Sequence, residues 1–320
     1  MYNQKVIVLS GGVGGAKLVL GLSHLLKAEQ LTVVTNTADD FDHFGLRICP
    51  DTDTVLYTLA DLSNKELGWG RANETWTFMK TTGQLGGENW FNLGDADLAL
   101  HVLRTEALKS GLSLTDVIAQ VAQSMGISNE ILPMTDQFVQ TRVNTANGQL
   151  AFQEYFVRDR CEPTVTGFEF AGIEAAEVNP KLLAALNTPL QSIIIAPSNP
   201  YVSVDPILAV PELSDALKAT DVPVVAVSPI VAGTAIKGPA AKMMEELGVP
   251  STVSGIARHY QGFIDGLIID RQDASQADEI ESLGIKTLVT QTVMKSLEDR
   301  IQLAQASVDF AAQISAGASR

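Results

Sequence analysis

The chain has only two cysteines, Cys49 and Cys161, and neither belongs to a Cys-x-x-Cys pair or lies at a zinc-site spacing from histidine. A disulfide framework and a structural zinc are therefore excluded. Basic residues are scarce as well: 22 Lys and Arg against 37 Asp and Glu leave a formal charge of -15. That field repels phosphate backbones and anionic membrane surfaces, so neither nucleic acid nor a membrane is expected as a partner. A small anion stays open, because backbone N–H groups, a lysine or a divalent cation reverse the sign inside one cleft. No run reaches the roughly 18 uncharged apolar residues of a spanning helix. The opening MYNQKVIVLSGG also lacks a basic segment followed by a long apolar core and cleavage site, which predicts a cytoplasmic protein. Neither a Gly-x-Ser-x-Gly elbow nor a Cys-His signature is present, so a covalent acyl intermediate has no support.

What is there is the patterning of a well-packed enzyme: 320 residues, 46% hydrophobic, 18% charged, with glycine and proline between apolar runs. Lys5 to Ser10 is a buried apolar run, Val13 to Leu26 has helical spacing, and Leu31 to Thr37 is a second buried strand, together a β-α-β unit. Further runs without alternation follow at Ser192–Ala196, Pro223–Ser228, Gly266–Asp270 and Lys286–Val289. Strands of this kind belong to a parallel sheet covered on both faces. The fold class is thus α/β, a Rossmann-like, mostly parallel sheet with helices on both faces and an inserted α+β region. The core takes residues 1–92 and 176–320. The insertion, 93–175, carries helices at Leu93–Lys109 and Ser113–Met125 and a β-hairpin turning at Asn147-Gly148, where a type I′ turn needs positive φ at both central positions. The tract from Ala306 to Arg320 reads as a helix end fraying into small residues.

Chemistry concentrates where strands end. Ser10-Gly11-Gly12-Val13-Gly14-Gly15-Ala16-Lys17 lies between the first strand and helix, where glycines admit a phosphate to free N–H groups. Lys17 breaks the dinucleotide fingerprint and Leu18 breaks the Walker pattern, so the turn is either a phosphate cradle or simply tight. Asn36-Thr37-Ala38-Asp39-Asp40 ends the second strand, and Pro50-Asp51-Thr52-Asp53-Thr54 opens an apolar helical stretch. One of these acids can be a helix cap. Four carboxylates at one sheet edge repel each other without a cation, and hard oxygen ligands suit Mg²⁺. In Trp90-Phe91-Asn92-Leu93-Gly94-Asp95-Ala96-Asp97 the aromatics are either core or a platform for a planar ring, with His101 and Arg104 following on the helix. Ser198, Asn199, Lys237 and Lys242 follow later strands and can hold a nucleotide, or merely punctuate loops. His24, His43 and His259 read as surface or structural.

Together with Ile131-Leu132-Pro133-Met134-Thr135-Asp136 and Val227-Ser228-Pro229-Ile230, these segments resemble in order and spacing the 2-phospho-L-lactate transferase family, from the N-terminus to about residue 270. The resemblance implies an enzyme of deazaflavin coenzyme F420 biosynthesis, Mg²⁺-dependent and homodimeric. It would transfer a phospho-carboxylate from a guanosine-diphosphate-activated three-carbon acid to the ribityl hydroxyl of the deazaflavin Fo, releasing GMP. The acid is phospholactate, phosphoenolpyruvate or phosphoglycerate. By the same resemblance Asp53 contacts the deazaflavin or the metal, with Asp51 and Asp40 as catalytic and metal-binding companions. Trp90, Asn92 and Asp95 serve the acceptor, although archaeal relatives tend to have a basic residue where Asn92 stands. Gly11, Gly12, Gly14, Gly15, Lys17, Ser198 and Asn199 face the nucleotide; Lys237 and Lys242 join them from the reading of the residues alone. The competing resemblance is to YvcK-like sugar-nucleotide-binding regulators. Their pattern continues as a Gly-Gly-Ser-Ser-Gly run where Asp42-His43-Phe44-Gly45 stands, and it lacks Asp51-Thr52-Asp53.

Overall fold

A computed structural model describes residues 4–66 and 68–318. Its main sheet has seven strands: β1 (Lys5–Ser10), β2 (Leu31–Thr35), β3 (Glu130–Pro133), β4 (Leu190–Ile195), β5 (Val224–Val227), β6 (Gly266–Asp270) and β7 (Lys286–Thr290). They pair in parallel throughout, in the order β7-β6-β5-β4-β1-β2-β3. The expected α/β class is thereby found, with every strand pointing the same way.

Strand side chains alternate between two cores. Val6, Val8 and Val33 pack under α1 (Gly12–Leu25), α4 (Leu114–Ser124) and α5 (Leu297–Ala318), whereas Ile7, Leu9 and Val34 pack under the helices at Pro180–Leu186, Ala240–Glu246 and Val253–His259. This double burial explains the unbroken apolar runs. α1 also meets α5 closely, since a Cβ on Gly21 would stand 2.1 Å from the Arg300 carbonyl oxygen.

Two features of the expected insertion change. Its stretch 93–175 contributes β3, an edge strand of the main sheet, so it is not wholly separate from the core. Of the expected hairpin, Gln140–Thr145 pairs with Gly148–Ala151, but Thr145 faces Gly148, leaving Ala146-Asn147 as the loop. Only Gly148 there has positive φ (121°), so the turn is not type I′. Residues Glu154–Arg158 are helical rather than strand, and Val165–Ala171 completes a three-stranded antiparallel sheet. The paired positive φ of a type I′ turn occurs instead at Phe44 (52°) and Gly45 (72°), joining Phe41–His43 to Leu46–Ile48. α5 runs to Ala318; Ser319 and Arg320, the last of the expected frayed tract, lie outside the described residues. Among the described residues no helix is long and apolar enough to cross a membrane.

Candidate active site

From β1 the chain builds outward through β2 and β3, then returns to the opposite side of β1 for β4 onward. The crevice between the carboxyl ends of β1 and β4 is therefore a topological switch point, the place where open parallel sheets bind ligands. The glycine turn and the Pro197-Ser198-Asn199 loop meet there. A Cβ on Gly14 would stand 2.4 Å from the Pro197 carbonyl oxygen, and one on Gly15 2.4 Å from Ser10 Oγ and 2.8 Å from Ser198 Oγ. The glycines thus let α1 begin directly against the loop. Gly11 N–H donates to Ser198 Oγ at 3.0 Å, and that hydroxyl donates to Gly11 O at 2.8 Å. Gly12 N–H donates to Asp51 Oδ1 at 2.6 Å, so a carboxylate of the chain itself stands at the positive end of α1.

Asp51 comes from the first turn of α2 (Pro50–Leu59). Its other oxygen accepts from Asn36 Nδ2 at 3.0 Å, and the same amide donates to Asp39 Oδ1 at 3.2 Å. One neutral amide therefore bridges two buried carboxylates. Burial lifts the Asp51 carboxyl to about 6. Burial first, then repulsion from Asp51 and Asp40, lifts Asp39 well above the ordinary range. Asp40 is 1% exposed, and burial pushes its carboxyl up to about 8 against a hydrogen bond with the Cys49 side chain and the pull of Arg104.

Asp53 has a different environment. Both of its oxygens receive the Arg104 guanidinium, Oδ2 from Nη1 at 3.0 Å and Oδ1 from Nη2. Arg104 lies on α3 (Asp95–Lys109) and is 1% exposed; it also donates to Arg47 O at 3.3 Å. Burial opposes its charge, but Asp53 overcomes this and raises its pKa. His101 Nε2 lies 3.2 Å from Asp97 Oδ2, and Tyr57 donates to Asp97 Oδ1 at 2.5 Å. Of the described residues, Asp53, Asp97 and His101 bring ligand atoms within 4.8 Å of one another; Asp40 and Asp51 are not in that group. Arg104 already supplies the cation there, which disfavours a second.

Beyond α3 lies an aromatic cluster. Phe41, His43, Trp90 and Phe91 pack ring against ring at 4.8 to 6.1 Å, and Trp90 Nε1 donates to Glu88 at 3.2 Å. Trp90 is thus a packed member of this cluster. A cavity of about 390 Å³ opens beside it, lined by Trp69, Trp76, Met79, Lys80, Asn89 and Asn92. Asn92 is exposed there. Asp95 instead accepts from the Thr75 hydroxyl at 2.6 Å and from Thr77 and Phe78 N–H at 3.1 and 3.0 Å, closing the N-terminus of the helix Thr77–Gln84.

The remaining expected residues divide. Asn199 caps the short helix Pro200–Val204, accepting from Tyr201 N–H at 3.0 Å. Lys17 Nζ donates to Met294 O at 3.3 Å, and Lys237 Nζ to Gly68 O at 3.0 Å. Lys242 donates to Glu246 at 2.5 Å and to Pro163 O at 3.3 Å, away from the glycine turn's contacts. Of the expected structural histidines, His43 lies in the aromatic cluster and His259 Nε2 is 2.8 Å from Asp205. Arg104 and Asp97 are the site residues to which the sequence reading gave no role. Their signal is spacing: Asp97, His101 and Arg104 stand at i, i+4 and i+7 on one helix face.

A family model described as "2-phospho-L-lactate transferase CofD" matches residues 6–300. A 2-phospho-L-lactate transferase of Methanosarcina barkeri is 38% identical over 300 residues, 94% of this chain and 96% of that one. A phosphoenolpyruvate transferase of Streptomyces griseus is 37% identical over 319 residues, 98% and 100% of the two chains. Among solved structures, a UPF0052-family protein of Bacillus halodurans superposes with a TM-score of 0.63 at 16% identity, covering 96% of this chain and 99% of that one, a likeness of fold.

Proposed function

The chain belongs to the 2-phospho-L-lactate transferase family, and from that membership we propose that it moves a phospho-carboxylate from a guanosine-diphosphate-activated three-carbon acid onto the deazaflavin Fo, in coenzyme F420 biosynthesis. The Fo ribityl hydroxyl oxygen bonds to the acid-bearing phosphorus, the phosphoanhydride bond to GMP breaks, and the hydroxyl proton is released. The observation that carries the reading is the buried acid cluster at the switch point, where Asp51 accepts from Gly12 N–H of the glycine turn.

A Mg²⁺ ion fits Asp39 and Asp51, which the Asn36 amide bridges, but not a three-carboxylate site, since among the described residues Asp39, Asp40 and Asp51 do not bring ligand atoms within 4.8 Å of one another. Asp39, Asp40 and Asp51 are buried carboxylates, and the Arg104 guanidinium beside them is held by Asp53. Asp39 and Asp51 would hold the ion, and when bound it would neutralise charge on the donor phosphates. Arg104 fixes Asp53 in one orientation at the edge of that cluster, and the Gly12 N–H and Asn36 amide do the same for Asp51. Preset groups of this kind spend no reorganisation energy during transfer. Trp76 and Trp69 offer ring faces for the tricyclic acceptor, with Asn92 and Asn89 as polar contacts. Trp90 supports that wall from behind.

Binding tests this directly. Titrating the fluorescent deazaflavin and, separately, GDP into the purified chain with and without Mg²⁺ should show both ligands bound, with Mg²⁺ strengthening GDP. Failure of the deazaflavin to bind under either condition would overturn the reading.

A further inference from the structure

The tryptophan-lined cavity has two walls that meet at a seam. Trp76, Met79 and Lys80 come from the start of the helix Thr77–Gln84, and Asn89 and Asn92 from the segment that leads into α3. Glu74 stands two residues before Trp76, and Gly94 two after Asn92. At this seam the two helices exchange the groups that close their first turns. α3 begins at Gly94, which has no side chain to accept from the free N–H groups of that turn. Glu74 supplies the acceptor from the other wall: its Oε2 takes Ala96 N–H at 2.8 Å and its Oε1 takes Asp97 N–H at 2.9 Å. In return Asp95, on α3, accepts from Thr77 and Phe78 N–H, and its own N–H donates to Thr75 O at 2.9 Å. Each helix is thus capped by a carboxylate from the segment that opens the other.

The seam is closely fitted. The Glu74 side chain is 4% exposed, with Arg71 Nη1 3.7 Å from its Oε1. A Cβ on Gly94 would stand 2.1 Å from Glu74 Cδ, although the Gly94 φ of -70° suits any residue. Glycine in Leu93-Gly94-Asp95 therefore makes room for Glu74 and serves no special backbone conformation. α3 then carries the seam inward. Asp97, whose N–H Glu74 holds, meets the Tyr57 hydroxyl and His101, and Arg104 on the same helix face grips Asp53. One rigid helix thus connects the cavity walls to the acid cluster.

We propose that Glu74 is a positioning residue for the planar acceptor: with Gly94 and Asp95 it locks the Trp76 and Asn92 walls to the helix that holds Asp53. The proposal rests on the reading that this cavity takes the deazaflavin. Glu74 lies outside the cavity lining and acts through the two walls. Displacing them by a fraction of an ångström is enough to spoil the register between a bound ring and the acids.

Fluorescence titration with Fo and, separately, GDP tests it. Glu74→Gln keeps the size of the side chain but turns an amide donor toward one of the two N–H groups, so Fo affinity should fall about tenfold while GDP affinity holds. Gly94→Ala should act alike by expelling Glu74. Adding Glu74→Ala to it should be no worse than Glu74→Ala alone, because the atoms the new methyl would meet are those of Glu74. A merely structural cap would lower Tm without separating the two ligands. Unchanged Fo affinity in Glu74→Gln, equal losses for Fo and GDP, or losses from Gly94→Ala and Glu74→Ala that simply add would overturn the proposal. A second reading needs no ligand: Trp69→Phe with Trp90→Phe leaves Trp76 as the one tryptophan, and Glu74→Gln should then raise its quenching by acrylamide. A chain that shows this rise but does not bind Fo would sink the acceptor assignment and keep the seam, whereas a Trp76 indifferent to Glu74 would sink the seam itself.

Discussion

Replacing Arg104 with methionine removes the cation from a buried pair and leaves Asp53 near Asp40 and Asp39 without its guanidinium partner. Arg104 is 1% exposed, and water does not compensate for its loss. Breaking a buried pair from one side costs about 3–5 kcal/mol, whereas removing both charges is far cheaper. For a chain of this size that corresponds to a Tm loss of roughly 4–8 °C. The pair should therefore be coupled: Asp53→Asn with Arg104→Met should lose much less than the sum of the two single variants. Scanning all four proteins by circular dichroism at one scan rate and pH provides the comparison. Additive losses, or an Arg104→Met variant within about 2 °C of the parent, would refute the claim that Arg104 is the internal counterion of the acid cluster.

Gly14→Ala puts a methyl 2.4 Å from a backbone oxygen that cannot swing away, so α1 must shift off the Pro197 loop. The overpacking should cost about 1–3 kcal/mol and lower kcat/KM for transfer; a stability and activity equal to the parent would show the contact to be slack. Trp76→Ala should weaken deazaflavin binding about tenfold while leaving GDP unchanged, as read by fluorescence titration, and equal losses for both ligands would place Trp76 outside the acceptor wall. The Asp40 carboxyl, raised on folding from 3.8 to about 8, holds its proton more tightly in the folded chain than in the unfolded one. The stability it contributes is greatest below the unfolded value and falls as pH rises from 3.8 to about 8, then levels. Asp51, raised to about 6, and Asp39, raised well above the ordinary range, also hold their protons at low pH, so Mg²⁺ should raise Tm strongly at about pH 9 and little at about pH 5; an equal rise at both would argue that the ion binds elsewhere.

Much of the frame was legible because buried parallel strands are continuous apolar runs. β1, β4, β5 and β6 announce themselves this way, as does the glycine turn between β1 and α1, whereas β7 was expected as a buried run and is an edge strand with none of its residues buried. β3 does not: it has only four residues, begins with Glu130 and ends with Pro133, and earns its place by pairing with β2. The turn at Asn147-Gly148 looked right locally, but cross-strand register placed the loop one residue earlier. Phe44, a poor candidate for positive φ, adopts it within a hairpin packed among aromatics. At the site, the acids were visible as residue types but not by partner. Nothing in a linear reading pairs Asp53 with Arg104, 51 residues on, although the i, i+4, i+7 series on α3 marks Arg104 as one of a set. Lys242 is the opposite lesson, since Glu246 four residues on was a visible partner and the structure pairs the two. Asp95 likewise carried the residue type of a ligand and serves as a helix cap.

The most direct test of the central claim is transfer itself. The chain would be incubated with Fo, Mg²⁺ and, in turn, guanylylated phospholactate, phosphoenolpyruvate and phosphoglycerate, following GMP release and product mass together. The account predicts GMP released in step with a deazaflavin phosphodiester for at least one acid, and the product mass names that acid. GMP release without such a product, or no turnover with any of the three donors, would contradict it.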